Sequence, residues 1–262
     1  MKKPSILLFL VFFALQVSSP ADPARVDWEG AFYGQPGSVT RDPERRIVLV
    51  SVGHDNLSLV DKSSTPPSPF AGGQTALLVD STPENPLWLR LCFRPFDGPE
   101  APQGVAEFLL HPVKGRIDVQ AGHQEFFWNP EANETYYVGN AALNVSLNPG
   151  SEPMVAGQVG ETDSVSTVMA GESYRLTVKW DFAGTEPIVR IFLNGEILRD
   201  PKAGAPLNPA LGASASSQGL NAFRITLGGP EDHLGRLFVG PMAAVLESNP
   251  DMEQAGDSLL AP

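Results

Sequence analysis

Between residues 173 and 182, apolar and polar side chains alternate one by one. Tyr174, Leu176, Val178, Trp180 and Phe182 fall on one face, and Ser173, Arg175, Thr177, Lys179 and Asp181 fall on the other. A period of two is that of a β-strand, whose successive side chains point to opposite sides of a sheet. Leu87, Leu89, Leu91 and Phe93 alternate in the same way with Trp88, Arg90, Cys92 and Arg94, as do Val189, Ile191 and Leu193 with Ile188, Arg190 and Phe192. Half-polar alternation belongs to antiparallel sheets with one face on the core and the other in water. The pattern predicts that Thr177 and Lys179 meet solvent.

Short runs rich in β-branched and aromatic residues predict strands over 47–53, 75–79, 87–93, 105–111, 116–121, 135–138, 142–147, 173–182, 188–194, 222–228 and 236–239. Clusters such as Ser63-Ser64-Thr65-Pro66-Pro67 and Asn148-Pro149-Gly150 separate them as turns. Asn194-Gly195, between two apolar runs, predicts a tight hairpin, since both residues accept the positive φ of a type I′ turn. Residues 199–221, poor in large apolar side chains, read as one long surface loop. No long amphipathic helix or internal repeat emerges. The expected fold is all-β: two antiparallel sheets stacked through their apolar faces into a sandwich.

The N-terminus changes the picture. Lys2 and Lys3 precede an uninterrupted apolar run over 6–15, and Ser19-Pro20-Ala21 offers small residues for a signal peptidase. The run is shorter than the ~20 residues that span a bilayer. We expect a signal peptide over 1–21, one sandwich domain over 22–247, and an acidic flexible tail over 248–262. The mature chain is then secreted, extracellular or periplasmic, without membrane insertion. Cys92 is the lone cysteine, so packing rather than an intrachain disulfide must stabilise the core.

Loss of Lys2 and Lys3 takes the formal charge from −12 to −14. So acidic a chain repels phosphate backbones, which argues against nucleic acid as a partner. Asn56, Asn133 and Asn144 head Asn-X-Ser/Thr triplets, which are glycan acceptors only in a eukaryotic secretory pathway.

Three segments carry a family likeness. Tyr174-Arg175-Leu176-Thr177-Val178-Lys179-Trp180-Asp181 is followed by Phe192-Leu193-Asn194-Gly195. Phe223-Arg224-Ile225-Thr226-Leu227-Gly228-Gly229 leads to a small apolar run over 237–245, and Phe70 to Asp80 adds a looser match. Together they resemble the concanavalin A-like lectin/glucanase superfamily, in particular its laminin G-like branch. That resemblance covers about two-thirds of the mature chain and implies a jelly-roll sandwich whose usual trade is glycan recognition or adhesion. Ala243 and Ala244 stand where the family commonly carries acids, so no family calcium role is carried over to that corner.

Catalysis finds less support. Glycosidases on such a sandwich place two carboxylates on one strand face, one as nucleophile and one as acid. Here Asp118 shares its face with Gln120, not with a second acid. A polysaccharide lyase would need basic residues and a proton-abstracting group, for which Arg90, His111, Arg116, His123 and Arg224 are the candidates. The four histidines show no metal-ligand spacing. Calcium remains admissible as a cofactor, with Asp80, Asp181 and Asp232 as candidate oxygen ligands. Exposed rings stack on sugar faces, and this marks Trp88, Trp128 and Tyr137 beside the polar Arg90, His111 and Arg116 as candidate ligand-binding residues. The sequence therefore predicts a secreted, non-catalytic, carbohydrate-binding or adhesion-type sandwich facing an extracellular glycan or protein surface. A lyase or hydrolase on the same fold, and a structural domain without a small ligand, are the alternatives.

Overall fold

The computed structural model describes residues 24–26, 40–41, 47–52, 57–81, 88–93, 95–96, 100–122, 141–151, 153–156, 167–200, 202–209, 211, 219–227 and 235–260. Fifteen strands run along them: β1 (Ala24–Val26), β2 (Thr40–Arg41), β3 (Ile47–Val52), β4 (Leu57–Val60), β5 (Ala76–Asp80), β6 (Trp88–Phe93), β7 (Gln103–Lys114), β8 (Ile117–Gly122), β9 (Leu143–Leu147), β10 (Met154–Ala156), β11 (Tyr174–Asp181), β12 (Ile188–Leu193), β13 (Glu196–Ile197), β14 (Ala222–Leu227) and β15 (Arg236–Leu246). They form a two-sheet antiparallel β-sandwich, as the alternation predicts. Sheet A has the order β13-β12-β11-β7-β15-β5-β4, with β1 also on β15; sheet B has the order β10-β9-β8-β14-β6-β3-β2. Among the described residues, no helix is long and apolar enough to cross a membrane.

Every second side chain builds the shared interior. Leu176, Val178 and Trp180 from β11 and Phe108 from β7 meet Phe93 from β6 and Phe223 and Ile225 from β14. The aromatic rings interlock across the two layers: Phe108 lies 5.4 Å from Phe223, and Trp180 lies 5.8 Å from the same ring. Burying an indole N–H requires an acceptor, and Trp180 Nε1 donates to the Ala101 carbonyl at 2.7 Å. Gly104 makes room for that indole, since a Cβ there would stand 2.5 Å from the Trp180 ring. The Asn194-Gly195 hairpin forms as expected, with φ of 53° and 88°, and pairs Leu193 with Glu196.

Five short strands, β1, β2, β4, β10 and β13, lie outside the predicted strand ranges, because two to four residues are too few to display a period. β7 and β15 are longer than predicted. β15 continues through a register shift at Gly240-Pro241, an irregularity of the kind that admits proline within a sheet. The loop expected over 199–221 is partly folded inward. Leu207 and Leu220 are buried, and Leu207 N donates to the Leu198 carbonyl at 2.9 Å. The predicted leader 1–21 and the predicted strand over 135–138 lie outside the described residues.

One expectation fails on sheet A. Thr177 and Lys179 occupy the outward face of β11, yet Lys179 is only 3% exposed and Thr177 is also buried. The reason is a covering layer. Residues 248–260, the described part of the expected acidic flexible tail 248–262, lie against this face, with Lys179 Nζ donating to the Asp251 carbonyl at 2.9 Å and Leu260 buried.

Candidate binding surface

The outward face of sheet B carries a connected polar patch. Register places Asn144, Gln120 and Arg224 side by side on β9, β8 and β14, and Ser146, Asp118 and Thr226 side by side in the next row but one. The alternation in Ile117-Asp118-Val119-Gln120-Ala121 dictates this arrangement, because Ile117, Val119 and Ala121 turn into the core and leave the polar pair outside. Arg224 Nε donates to Gln120 Oε1 at 2.6 Å, and a terminal guanidinium nitrogen of Arg224 donates to the same oxygen. Arg224 is 4% exposed, so its planar head is held rather than free to swing. Asp118 accepts from Arg116 Nε at 2.8 Å and from the Ser146 hydroxyl. Asn144 Nδ2 donates to Ser146 Oγ at 3.3 Å, while Asn144 Oδ1 is buried without a hydrogen-bond partner among the described residues. A buried acceptor left unmade is unfavourable, and here it sits in a row of amide and guanidinium groups.

Of the sequence candidates, Arg116 and Arg224 belong to this patch. Trp88 and Arg90 lie on β6 in the same sheet, with Arg90 in register with Thr226 and Val50, and Trp88 with Val52. Trp128, Tyr137 and His123 lie outside the described residues. His111 is elsewhere: it stands on β7 of sheet A, with Nδ1 2.9 Å from the Ser173 hydroxyl. Its ring meets Phe70 and Phe238 edge-on, and burial lowers its pKa below the usual imidazole value. The two sheets of a sandwich are about 10 Å apart, so His111 is not joined to Arg116 and Arg224 in one groove. The grouping required for lyase chemistry therefore loses that base.

The carboxylate geometry is equally specific. Asp118 is flanked in register by Ser146 and Thr226 and along its strand by Gln120, none of which is an acid. Among the candidate calcium ligands, Asp80 pairs with Arg236 at 2.8 Å, and Asp181 accepts from Gln103 Nε2 at 2.9 Å. Asp80 is level with the Lys114 end of β7 and Asp181 with the Gln103 end, ~37 Å apart along the strand direction at the strand rise. Asp232 lies outside the described residues. Among the described residues, no three His, Cys, Asp or Glu side chains group to hold a metal.

Asn144, Ser146 and Gln120 were not among the sequence candidates for binding. The signal was present as the outward half of 117–121 and 142–147, but Asn144 and Ser146 read first as a glycan-acceptor triplet.

No family model matches the chain, and no curated protein matches it in sequence. In backbone shape it is similar to Trypanosoma rangeli sialidase in complex with the inhibitor DANA, at TM-score 0.46 and 13% identity over 85% of this chain and 31% of that one. It is also similar to the botulinum neurotoxin type G receptor binding domain, at TM-score 0.38 and 9% identity over 85% and 48% of the two chains. The carbohydrate recognition domain of Emp47p gives TM-score 0.40 and 9% identity over 74% and 90%. The chain thus spans about a third of the length of the sialidase, and likenesses at these scores carry no argument about function.

Proposed function

We propose that this protein is a secreted, non-catalytic sandwich of the concanavalin A-like kind, and that the outward face of sheet B binds an extracellular carbohydrate. The observation that carries the reading is the continuous row of Asn144, Gln120 and Arg224 beside Ser146, Asp118 and Arg116. Closely spaced amide, carboxylate and guanidinium groups offer the paired donors and acceptors that vicinal sugar hydroxyls require. Asp118, without a neighbouring acid, has no partner for the two-carboxylate reaction and serves to fix hydroxyls.

The test is retention of the purified protein on immobilised polysaccharides of varied composition, repeated with Asp118→Ala and Gln120→Ala. We expect retention on at least one polysaccharide and a ~tenfold loss of affinity in each variant, as for one charge-assisted hydrogen bond. Unchanged retention in both variants would move the binding surface away from sheet B. Retention on none of the polysaccharides would remove the carbohydrate reading.

A further inference from the structure

Acids outnumber lysines and arginines in this chain by 30 to 18, yet the strands of sheet B reverse that balance. Across the described strands β10, β9, β8, β14, β6, β3 and β2, the charged residues are Arg41, Arg90, Arg224 and one acid, Asp118. Register gathers them on the outward face. Arg90 shares the row of Thr226 and Asp118, and Arg41 reaches the row of Arg224 through Val48 and Cys92. Arg116 adds a further cation where the chain enters β8, directly after the turn at Gly115, whose φ is 83°.

Arg116 is placed to meet an anion. Its guanidinium is half exposed and bonds Asp118 through Nε at 2.8 Å. Among the described residues, its two terminal nitrogens bond nothing. They form the parallel fork that takes the two oxygens of a carboxylate or sulfate. Water screens an exposed ion pair of this kind, so Asp118 orients the arginine without using up its charge. Asp118 meets both Arg116 and Ser146 through Oδ1, which leaves its second oxygen to accept from a neutral hydroxyl. An anion site beside a hydroxyl acceptor fits an acidic sugar. It suits a continuous phosphate backbone poorly, because the Asp118 carboxylate lies between the cations.

Resting on the carbohydrate reading of this face, we propose that its ligand is an anionic glycan, whose carboxylate or sulfate groups are bound by Arg116 while neighbouring hydroxyls rest on Asp118. The other arginines make the site a stripe rather than a point. Arg224 stands in register with Gln120, four residues along β8 from Arg116 and one strand across, a backbone separation of ~14 Å at the strand rise and spacing. Arg90 is two strands from Asp118, ~10 Å away. Cations recurring at such intervals favour a polymer with repeated acidic residues over a single acidic sugar, because each further contact forms within an existing complex. The chain as a whole is negative, so the attraction is confined to this face and wanes as salt screens it.

The experiment compares matched polymers on the full chain: polygalacturonate against its methyl ester, and dextran sulfate against dextran. We expect ~tenfold tighter retention of the acidic member in at least one pair, weakening as salt rises. The pair that responds distinguishes carboxylate from sulfate. Arg116→Ala should cut retention of the acidic member ~tenfold and leave that of the neutral member unchanged. Arg116→Lys, which keeps the charge without the fork, should recover part of the loss. Both variants should keep the circular-dichroism spectrum of the unsubstituted protein, because Arg116 is exposed. Equal retention within both pairs, or an acid preference that survives Arg116→Ala, would overturn the anionic assignment and leave carbohydrate binding standing. Equally tight retention of single-stranded DNA would overturn it as well. Retention of no polymer would remove the carbohydrate reading and this assignment together.

Discussion

On sheet B, the outward side chains of β8, β9 and β14 bond one another, as Arg224 does Gln120 and Ser146 does Asp118, and Arg116, just before β8, pairs with Asp118 and remains half exposed although Arg224 and Ser146 are buried. On sheet A, the outward side chains of β7 and β11 bond a returning segment of chain, and Glu107 and Lys179 are almost wholly buried. Both faces arise from the same one-by-one alternation, and both mix cations with acids. They differ in which described groups their side chains bond. A polar row whose described side chains bond one another, as Arg224 bonds Gln120 and Ser146 bonds Asp118, has its geometry set in part by the sheet itself. A buried polar cluster that depends on a separate segment contributes to stability only while that segment is in place.

Substitutions that break the second arrangement should cost far more stability than those that break the first. The largest effect is expected for Glu107→Ala, which takes the shared carboxylate away from the Arg175 guanidinium, the Ser258 hydroxyl and the Leu260 amide. Denaturant unfolding should show a loss of about 3 kcal/mol, the range for breaking a buried charged network. Glu107→Gln, which retains an acceptor, should lose less.

Next comes Leu260→Ala, with an expected loss of about 2 kcal/mol, the low end for a buried leucine because the segment can settle into the space. Asp118→Ala on the other face should cost about 1 kcal/mol or less, because its ion pair with Arg116 is solvent-exposed. If Asp118→Ala proves as damaging as Glu107→Ala, the contrast between the faces disappears.

The smallest effect concerns the loop that covers the other end of sheet A. Asp61 accepts from Ser63 N, Ser63 Oγ and Ser64 Oγ, and these bonds, led by the Ser63 hydroxyl, lower its pKa from 3.8 to about 2. A depressed carboxylate pKa stabilises the fold above the unfolded value and ceases to do so as pH falls through the folded one. Unfolding of the wild type and of Asp61→Asn should therefore differ above pH 3.8 and converge as pH falls to about 2. A gap that persists at pH 2 would show that the loop is held by contacts other than these hydrogen bonds.

The inward half of each strand was legible because burial is written into the residue type. Leu176, Val178 and Trp180 have one way to leave water, and each has a polar neighbour on either side that separates the faces. The Asn194-Gly195 turn was legible because few residue pairs tolerate two positive φ values. The outward half was not. A polar residue on a strand is compatible with water, with a ligand or with another segment of chain, and nothing local distinguishes Lys179 from Arg116.

By itself, then, the sequence determined the all-β class, the antiparallel stacking, most strand positions and the set of inward side chains. All of these follow from short-range periodicity and from the free energy of removing apolar surface from water. The tertiary structure alone decided which strands became neighbours, and so brought Asn144, Gln120 and Arg224 from three distant stretches into one row. It also decided that residues 247–260 return over β7 and β11, and that His111 stands on sheet A while Arg116, five residues on, pairs with Asp118 of sheet B. Such pairings depend on register and on chain reversals between segments far apart in sequence, and no window of adjacent residues contains them.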